Sequence, residues 1–266
     1  MNPIARSYAA YLFDLDGTLW TGADLYDGAA DVIRLLAARN RRVVVVSNNS
    51  VLTGNGVVEN LAAFGLVAGL QAVTVTDVAG EFLRAHCGAC AVRVVGAPAL
   101  SRGCREQGHD LVDLWDPGAA DAVLLGRDDS FSYRTLTRLA ACVERGERFF
   151  VTNEDAWHPG PHGSRVPETG ALLAAVQAVR PSGYASAGKP GPLLFRRAIE
   201  LAGVECGDAL MVGDHPLMDI DGASRAGIDS VWISFGRPYP ADAGIRPLES
   251  CASIRELADI LGAPRT

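Results

Sequence analysis

The sequence has no apolar run near the roughly 18 residues that a membrane-spanning helix needs. Its opening segment, Met1-Asn2-Pro3-Ile4-Ala5-Arg6, leads into a strand pattern without the hydrophobic stretch of an export signal. A cytoplasmic protein with no membrane partner is the expectation. Positive charge is also scarce: 24 Lys and Arg stand against 31 Asp and Glu, a formal net charge of −7, with no basic block or stripe. That argues against a nucleic-acid partner, and an anionic small molecule would need a local positive trap set in an unfavourable field. Cysteines are few and scattered, at 87, 90, 104, 142, 206 and 251. Cys87-Gly88-Ala89-Cys90 is a single CxxC with no second pair, so a structural zinc site lacks half its ligands, and idle thiols are expected. Internal repeats and low-complexity tracts are absent too.

What is present is alternation of short β runs and amphipathic stretches, over 266 residues that can bury a sizeable core. Strands are expected at Tyr8 to Phe13, Arg42 to Ser47, Ala209 to Val212 and Ser230 to Ser234, and helices at Asp27 to Arg39, Leu193 to Ala202 and Met218 to Ala226. The run Val43-Val44-Val45-Val46 suits a parallel strand covered on both faces. The middle repeats the pattern, with strands near Val92 to Val95, Ala122 to Leu125 and Phe149 to Thr152. The expected fold is therefore α/β: a Rossmann-like, doubly wound parallel-sheet core, residues 1–76 plus 185–266, with an inserted α/β unit over 77–184.

Ligands of such sheets sit beyond the carboxyl ends of the strands. Four apolar runs here end in polar residues: Phe13-Asp14-Leu15-Asp16-Gly17-Thr18, Ser47-Asn48-Asn49, Gly188-Lys189-Pro190, and Gly213-Asp214 with Asp219 following. Two aspartates one residue apart at a buried strand end would raise each other's pKa, and a Mg²⁺ ion with its preference for oxygen ligands would relieve them. Asp14, Asp214 and the main-chain carbonyl of Asp16 are the candidate ligands. A carboxylate can attack phosphorus, so Asp14, nearest the strand end, is the candidate nucleophile. Asp16 is the candidate general acid and base. Ser47, Asn48 and Lys189 would hold phosphate oxygens, and Lys189 supplies the local positive charge that the chain otherwise lacks.

Rival motifs fit less well. Read as a Ca²⁺ loop from Asp14, the sequence places Leu19 at position six and Leu25 at position twelve, where Gly and Glu belong. Gly183-Tyr184-Ala185-Ser186-Ala187-Gly188-Lys189 matches a phosphate-binding P-loop, but Pro190 replaces the Ser or Thr that should bind Mg²⁺. Gly54-Asn55-Gly56 starts a dinucleotide fingerprint and then lacks its third glycine. Alone, Ser47-Asn48-Asn49 reads as a turn or helix cap.

The ordered set resembles the haloacid dehalogenase superfamily: "DLDGTL" its first motif, "SNN" its second, "GKP" its third and "VGDHPLMDIDGA" its fourth. The insert between the second and third motifs resembles a C2-type cap. The stretch "FFVTNEDAWHPGPHGSRVPETGALLAAV" is similar to the cap-to-core region of 4-nitrophenyl, phosphoglycolate and pyridoxal phosphate phosphatases. The resemblance implies Asp14 as nucleophile, Asp16 as general acid/base, Ser47 and Lys189 as phosphate-binding with Asn48 beside them, Asp214 as a Mg²⁺ ligand and Asp219 as a metal-supporting acid. Asp16 separates the chain from dehalogenase members, which lack that acid, and from ATPase members, which carry Thr there. His215-Pro216-Leu217-Met218 departs from the polar, Thr-containing stretch usual in this branch.

A cap that closes over phosphate excludes water and selects the leaving group. The loop Thr152-Asn153-Glu154-Asp155-Ala156-Trp157-His158-Pro159-Gly160 is the candidate for that contact. Asn153 and Asp155 could bond substrate hydroxyls. The Trp-His-Pro run resembles that of pyridoxal phosphate phosphatases, which implies that His158 contacts the substrate. The expected function is a Mg²⁺-dependent phosphomonoesterase for a small phosphorylated metabolite, acting through an aspartyl-phosphate. A phosphomutase or other phosphotransferase on the same core, and a phosphometabolite sensor with little turnover, remain open as alternatives. Relatives with this cap often dimerise through it, so a homodimer is possible.

Overall fold

The computed structural model describes residue 4 and residues 8–22, 24–66 and 69–262, the side chain of His162 excepted. Most of the opening segment Met1 to Arg6 therefore lies outside the described residues. The chain begins with β1 (Ala10–Phe13), α1 (Ala29–Ala38), β2 (Arg42–Ser47), α2 (Gly54–Ala63), β3 (Leu70–Thr74) and α3 (Val75–Cys87). It then builds a second unit from β4 (Ala91–Val95), α4 (Pro98–Glu106), β5 (Asp110–Leu111), β6 (Ala122–Leu125), α5 (Tyr133–Glu144) and β7 (Arg148–Val151). β8 (Trp157–Pro159), β9 (Arg165–Pro167), α6 (Thr169–Val179) and β10 (Tyr184–Ser186) complete that unit. The chain returns through α7 (Pro192–Ala202), β11 (Ala209–Gly213), α8 (Gly222–Arg225), β12 (Asp229–Ile233), β13 (Glu249–Cys251) and α9 (Ile254–Gly262).

The main sheet has the order β13-β12-β11-β1-β2-β3, and every pairing in it is parallel. Alternation within the strands explains how both faces are covered. Tyr11, Phe13, Val43 and Val45 point to one face, where Val32, Ile33 and Leu36 of α1 and Ile254, Leu257 and Leu261 of α9 pack. Leu12, Val44, Val46 and Met211 point to the other, against Leu194, Phe195 and Ala198 of α7. Strand succession reverses between β1 and β11, so their carboxyl ends border the crevice where an open α/β sheet takes its ligand.

The inserted unit is a second parallel sheet, order β10-β7-β6-β4-β5, with β8 and β9 as a separate antiparallel hairpin. Leu83 of α3 and Leu100 of α4 cover one face, and Leu139 of α5 with Leu173 and Val176 of α6 cover the other. Arg93, fully buried within β4, pairs with Glu147 at 3.1 Å and donates to the carbonyls of Asp113 and Gly118. The expected joints at 76/77 and 184/185 fall inside α3 and β10. α3 is shared: Val75 and Val78 pack with the main sheet, while Ala79 and Leu83 pack with the second.

Expected and observed elements differ mainly at their ends, by one or two residues. One difference is of kind. Where a helix is expected from Met218 to Ala226, the chain makes a π-helical turn over Pro216–Asp221 and only then the short α8. Pro216 stands at the first position of that turn, where a missing amide costs nothing, and His215 caps it, its Nδ1 accepting from Met218 N at 3.2 Å.

Candidate active site

At the crevice, Asp14 follows β1 directly and its amide donates to Val212 O of the neighbouring β11 at 2.9 Å. Asp214 follows β11, and the π turn brings Asp219 back beneath it. The three carboxylates offer oxygens within 4.8 Å of one another. Two glycines permit the approach. Gly17 has φ +94°, and a Cβ there would lie 2.9 Å from Asp214 Oδ1. A Cβ on Gly213 would lie 2.3 Å from Asp219 Cγ.

Lys189 enters from the third stretch, on the turn between β10 and α7. Its Nζ donates to Asp14 Oδ1 and Asp219 Oδ1, both at 2.6 Å, and all three side chains are buried. Burial would lower the Lys189 pKa, but the carboxylates of Asp14 and Asp219 outweigh it and raise it. Burial drives Asp14 well above the usual carboxylate range against the pull of Lys189, with Asp219 and Asp214 adding to the rise. Burial and Asp219 likewise push Asp214 up to about 7, although Arg237 Nη2 donates to its Oδ2 at 3.0 Å from outside. Three acids against the Lys189 ammonium and the outer guanidinium of Arg237 still leave an excess of negative charge, which a divalent, oxygen-seeking cation fits.

Asp16 stands apart from that cluster. Its Oδ1 accepts from Trp20 Nε1 at 2.9 Å, and burial raises its pKa despite this bond. Its carboxylate is therefore not among the clustered metal-type ligands; of its groups, the main-chain carbonyl is the one left for that expectation. Ser47 Oγ accepts from Asn49 N at 3.0 Å, which leaves its hydroxyl hydrogen free to donate into the cleft. Asn49 makes the turn that the same tripeptide suggests, its Oδ1 accepting from Val51 N and Leu52 N. The side chain of Asn48 is fully used: Oδ1 accepts from Lys189 N at 2.7 Å, while Nδ2 donates to Asp155 Oδ2 at 2.8 Å and to Lys189 O at 3.3 Å. Asn48 thus holds its neighbours in place and has no side-chain donor to spare for a ligand.

These residues line one cleft of about 510 Å³, together with Asp155, Trp157 and His158 of the cap loop. Asn153 is not brought to it. Its side chain is fully buried, with Nδ2 donating to Asn48 O at 2.8 Å and Oδ1 accepting from Asp155 N at 3.1 Å. The sequence reading sets Asn153 against substrate hydroxyls; here its amide is enclosed by the hydrogen bonds that shape the loop. Three partners carry no motif. Glu168 accepts from His158 Nδ1 at 2.8 Å and from Arg127 Nη1 at 3.4 Å. Arg237 reaches Asp214, and Trp20 lies one turn beyond Asp16. Only the last sits where local spacing could have found it.

The comparisons agree with this geometry. Residues 11–110 match the model of the haloacid dehalogenase-like hydrolases, and residues 186–257 match a second model of the same hydrolase class. The chain is similar to the acid sugar phosphatase of Staphylococcus saprophyticus, 31% identical over 87% of this chain and 88% of that one. It is 34% identical to chronophin of Mus musculus, over 83% and 78% of the two chains. A crystal structure of 4-nitrophenylphosphatase from Thermotoga maritima superposes with a TM-score of 0.80 at 28% identity, covering 95% of this chain and 97% of that one. A Rossmann-like core, an inserted parallel-sheet cap and an acid cluster at their junction have one family in common: the chain belongs to the haloacid dehalogenase-like hydrolases, in the branch of the nitrophenyl phosphatases.

Proposed function

We propose that the chain is a Mg²⁺-dependent phosphomonoesterase that forms an aspartyl-phosphate on Asp14. The observation that carries this reading is the grouping of Asp14, Asp214 and Asp219 around Lys189 Nζ at the strand-order reversal, with Asp16 two residues beyond Asp14. Asp14, Asp214 and Asp219 would hold the ion, with the main-chain carbonyl of Asp16. Bound there, Mg²⁺ would neutralise the acids and polarise a phosphate oxygen.

The chain's own groups then divide the work. Lys189 holds Asp14 by Oδ1, leaving Oδ2 for attack on phosphorus. The new bond is Asp14 O–P; the bond broken joins phosphorus to the ester oxygen. Asp16, whose raised pKa favours the protonated form, gives its proton to the departing oxygen. In the second half Asp16 takes a proton from water, the water oxygen attacks phosphorus, and Asp14 is released with inorganic phosphate. Ser47 Oγ and Lys189 Nζ position the transferring group. The cap loop, with His158, Trp157 and Asp155 on the cleft wall, suits a small phosphorylated metabolite carrying hydrogen-bonding groups.

Phosphate release from 4-nitrophenyl phosphate and from a panel of sugar, polyol, nucleotide and pyridoxal phosphates, with Mg²⁺ and with EDTA, tests the proposal. Turnover that needs Mg²⁺ and disappears in Asp14→Asn is expected. Binding without release for every compound would favour a sensor, and wild-type turnover in Asp14→Asn would remove the covalent step.

A further inference from the structure

Away from the cleft, the cap holds a cysteine–histidine cluster for which phosphate chemistry has no use. Cys87 ends α3 and Cys90 stands just before β4, joined by Gly88 and Ala89. Both are free thiols, and their Sγ atoms lie 3.4 Å apart. A disulfide places its sulfurs at about 2.0 Å, so closure takes a movement of roughly 1.4 Å. Cys87 is half-buried and Cys90 is 7% exposed, which leaves Cys87 as the sulfur an external reagent meets first.

His109, immediately before β5, completes the cluster. Its Nε2 lies 3.0 Å from Gly80 O. A carbonyl only accepts, so Nε2 carries the hydrogen and Nδ1 is an acceptor. That Nδ1 is 3.3 Å from Cys90 Sγ, while Cys87 Sγ donates to Leu83 O at 3.0 Å. Burial and the neighbouring Cys87 push the Cys90 thiol up to about 12, so Cys90 depends on a base when it reacts. Among the described residues, the side chains that lie close enough together to share an ion are the acids of the cleft, and Cys87, Cys90 and His109 are not in that group.

We propose that Cys87 and Cys90 are a redox-active dithiol, oxidised by a peroxide or a small-molecule disulfide to an intramolecular disulfide, with His109 accepting the Cys90 proton. With hydrogen peroxide, the Cys87 sulfur gains one oxygen and the peroxide leaves as water. The Cys90 sulfur then attacks the Cys87 sulfur. The S–S bond forms, the S–O bond breaks, and the Cys90 proton passes by His109 Nδ1 to the departing oxygen, which leaves as a second water. With a small disulfide, Cys87 first forms the mixed disulfide, releasing one small thiol; Cys90 then displaces the second. The chemistry is independent of the phosphatase reading.

The test uses the whole reduced protein, freed of reductant and exposed to glutathione disulfide or to dilute hydrogen peroxide. It is then alkylated and digested with trypsin, which puts both cysteines on the fragment Ala85–Arg93. The expected fragment is two hydrogens lighter and unalkylated, returns to the dithiol with dithiothreitol, and is lost in Cys87→Ser and in Cys90→Ser. His109→Gln should slow closure by about tenfold or more, below the range of a well-placed enzymatic base, while alkylation of Cys87 in the reduced protein keeps its wild-type rate. A fragment that stays fully alkylated after oxidant, or a Cys87 that halts as mixed disulfide or sulfinic acid in the folded wild type, overturns the proposal. Wild-type closure in a folded His109→Gln would remove the histidine from it.

Discussion

Replacing Lys189 with Met keeps an unbranched apolar stem and removes the ammonium that lies 2.6 Å from both Asp14 and Asp219. Both carboxylates are buried, so the variant keeps the penalty of the acids and loses their partner. Removing one member of a buried ion pair costs about 3–5 kcal/mol, which in a chain of this size lowers Tm on the order of 10 °C. The cost must depend on pH in a defined direction. The folded-state pKa of Asp14 is raised, so Asp14 binds its proton more tightly in the native state, contributes stability at low pH, and that stability is lost as pH rises. Thermal melts in EDTA should therefore show the full deficit of Lys189→Met at pH 8 and a smaller one at pH 5. An unchanged Tm at pH 8 would refute the premise that Lys189 is what makes the acid cluster tolerable.

Three further outcomes are expected. In the metal-free protein the rise of Asp214 from 3.8 to about 7 makes stability fall between those pH values, so the gain in Tm on adding Mg²⁺ should grow from pH 5 to pH 7 and then level off; a gain independent of pH would contradict it. Asp16→Asn should slow phosphate release by roughly 100-fold or more for alkyl phosphates and far less for 4-nitrophenyl phosphate, whose leaving group needs little protonation; equal losses across leaving groups of different pKa would exclude Asp16 as the acid. His158→Ala should alter relative kcat/KM among the phosphorylated panel more than it alters kcat on 4-nitrophenyl phosphate, and an unchanged profile would take the loop out of substrate selection.

The legible parts of the molecule are those where local pattern and tertiary role coincide. The Val43–Val46 run suits a parallel strand covered on both faces, and that is where it lies. Asp14, Ser47 and Asp214 each follow or end a strand of the main sheet, so placing those strands places the three at its carboxyl end, whereas Lys189 follows β10 of the second sheet and reaches Asp14 from there. Where the two levels part, sequence reasoning fails for a physical reason. Arg93 within β4 would read as a solvent-facing position, yet Glu147, 54 residues on, makes it a buried one. Glu168 meets His158 because the β8–β9 hairpin folds ten residues back on themselves. Asn153 looks like a substrate-facing polar side chain, and its amide is instead spent on backbone that only the folded cap brings near.

Asn48 has a consequence for how the cleft works as a unit. Its carboxamide joins Lys189 through N and O and joins Asp155 through Oδ2, while its own carbonyl accepts from Asn153. The residue at the end of β2 is therefore bonded at once to the turn that carries the ammonium and to the cap loop that walls the cleft. Moving the 153–155 loop away from the core must break the bonds from Asn48 Nδ2 to Asp155 and from Asn153 Nδ2 to Asn48 O. The first of these shares its nitrogen with the Lys189 contact. One carboxamide, that of Asn48, therefore holds both the cap loop and the Lys189 backbone, and the bond to Asp155 uses one of its two N–H groups while the other and the oxygen stay on Lys189.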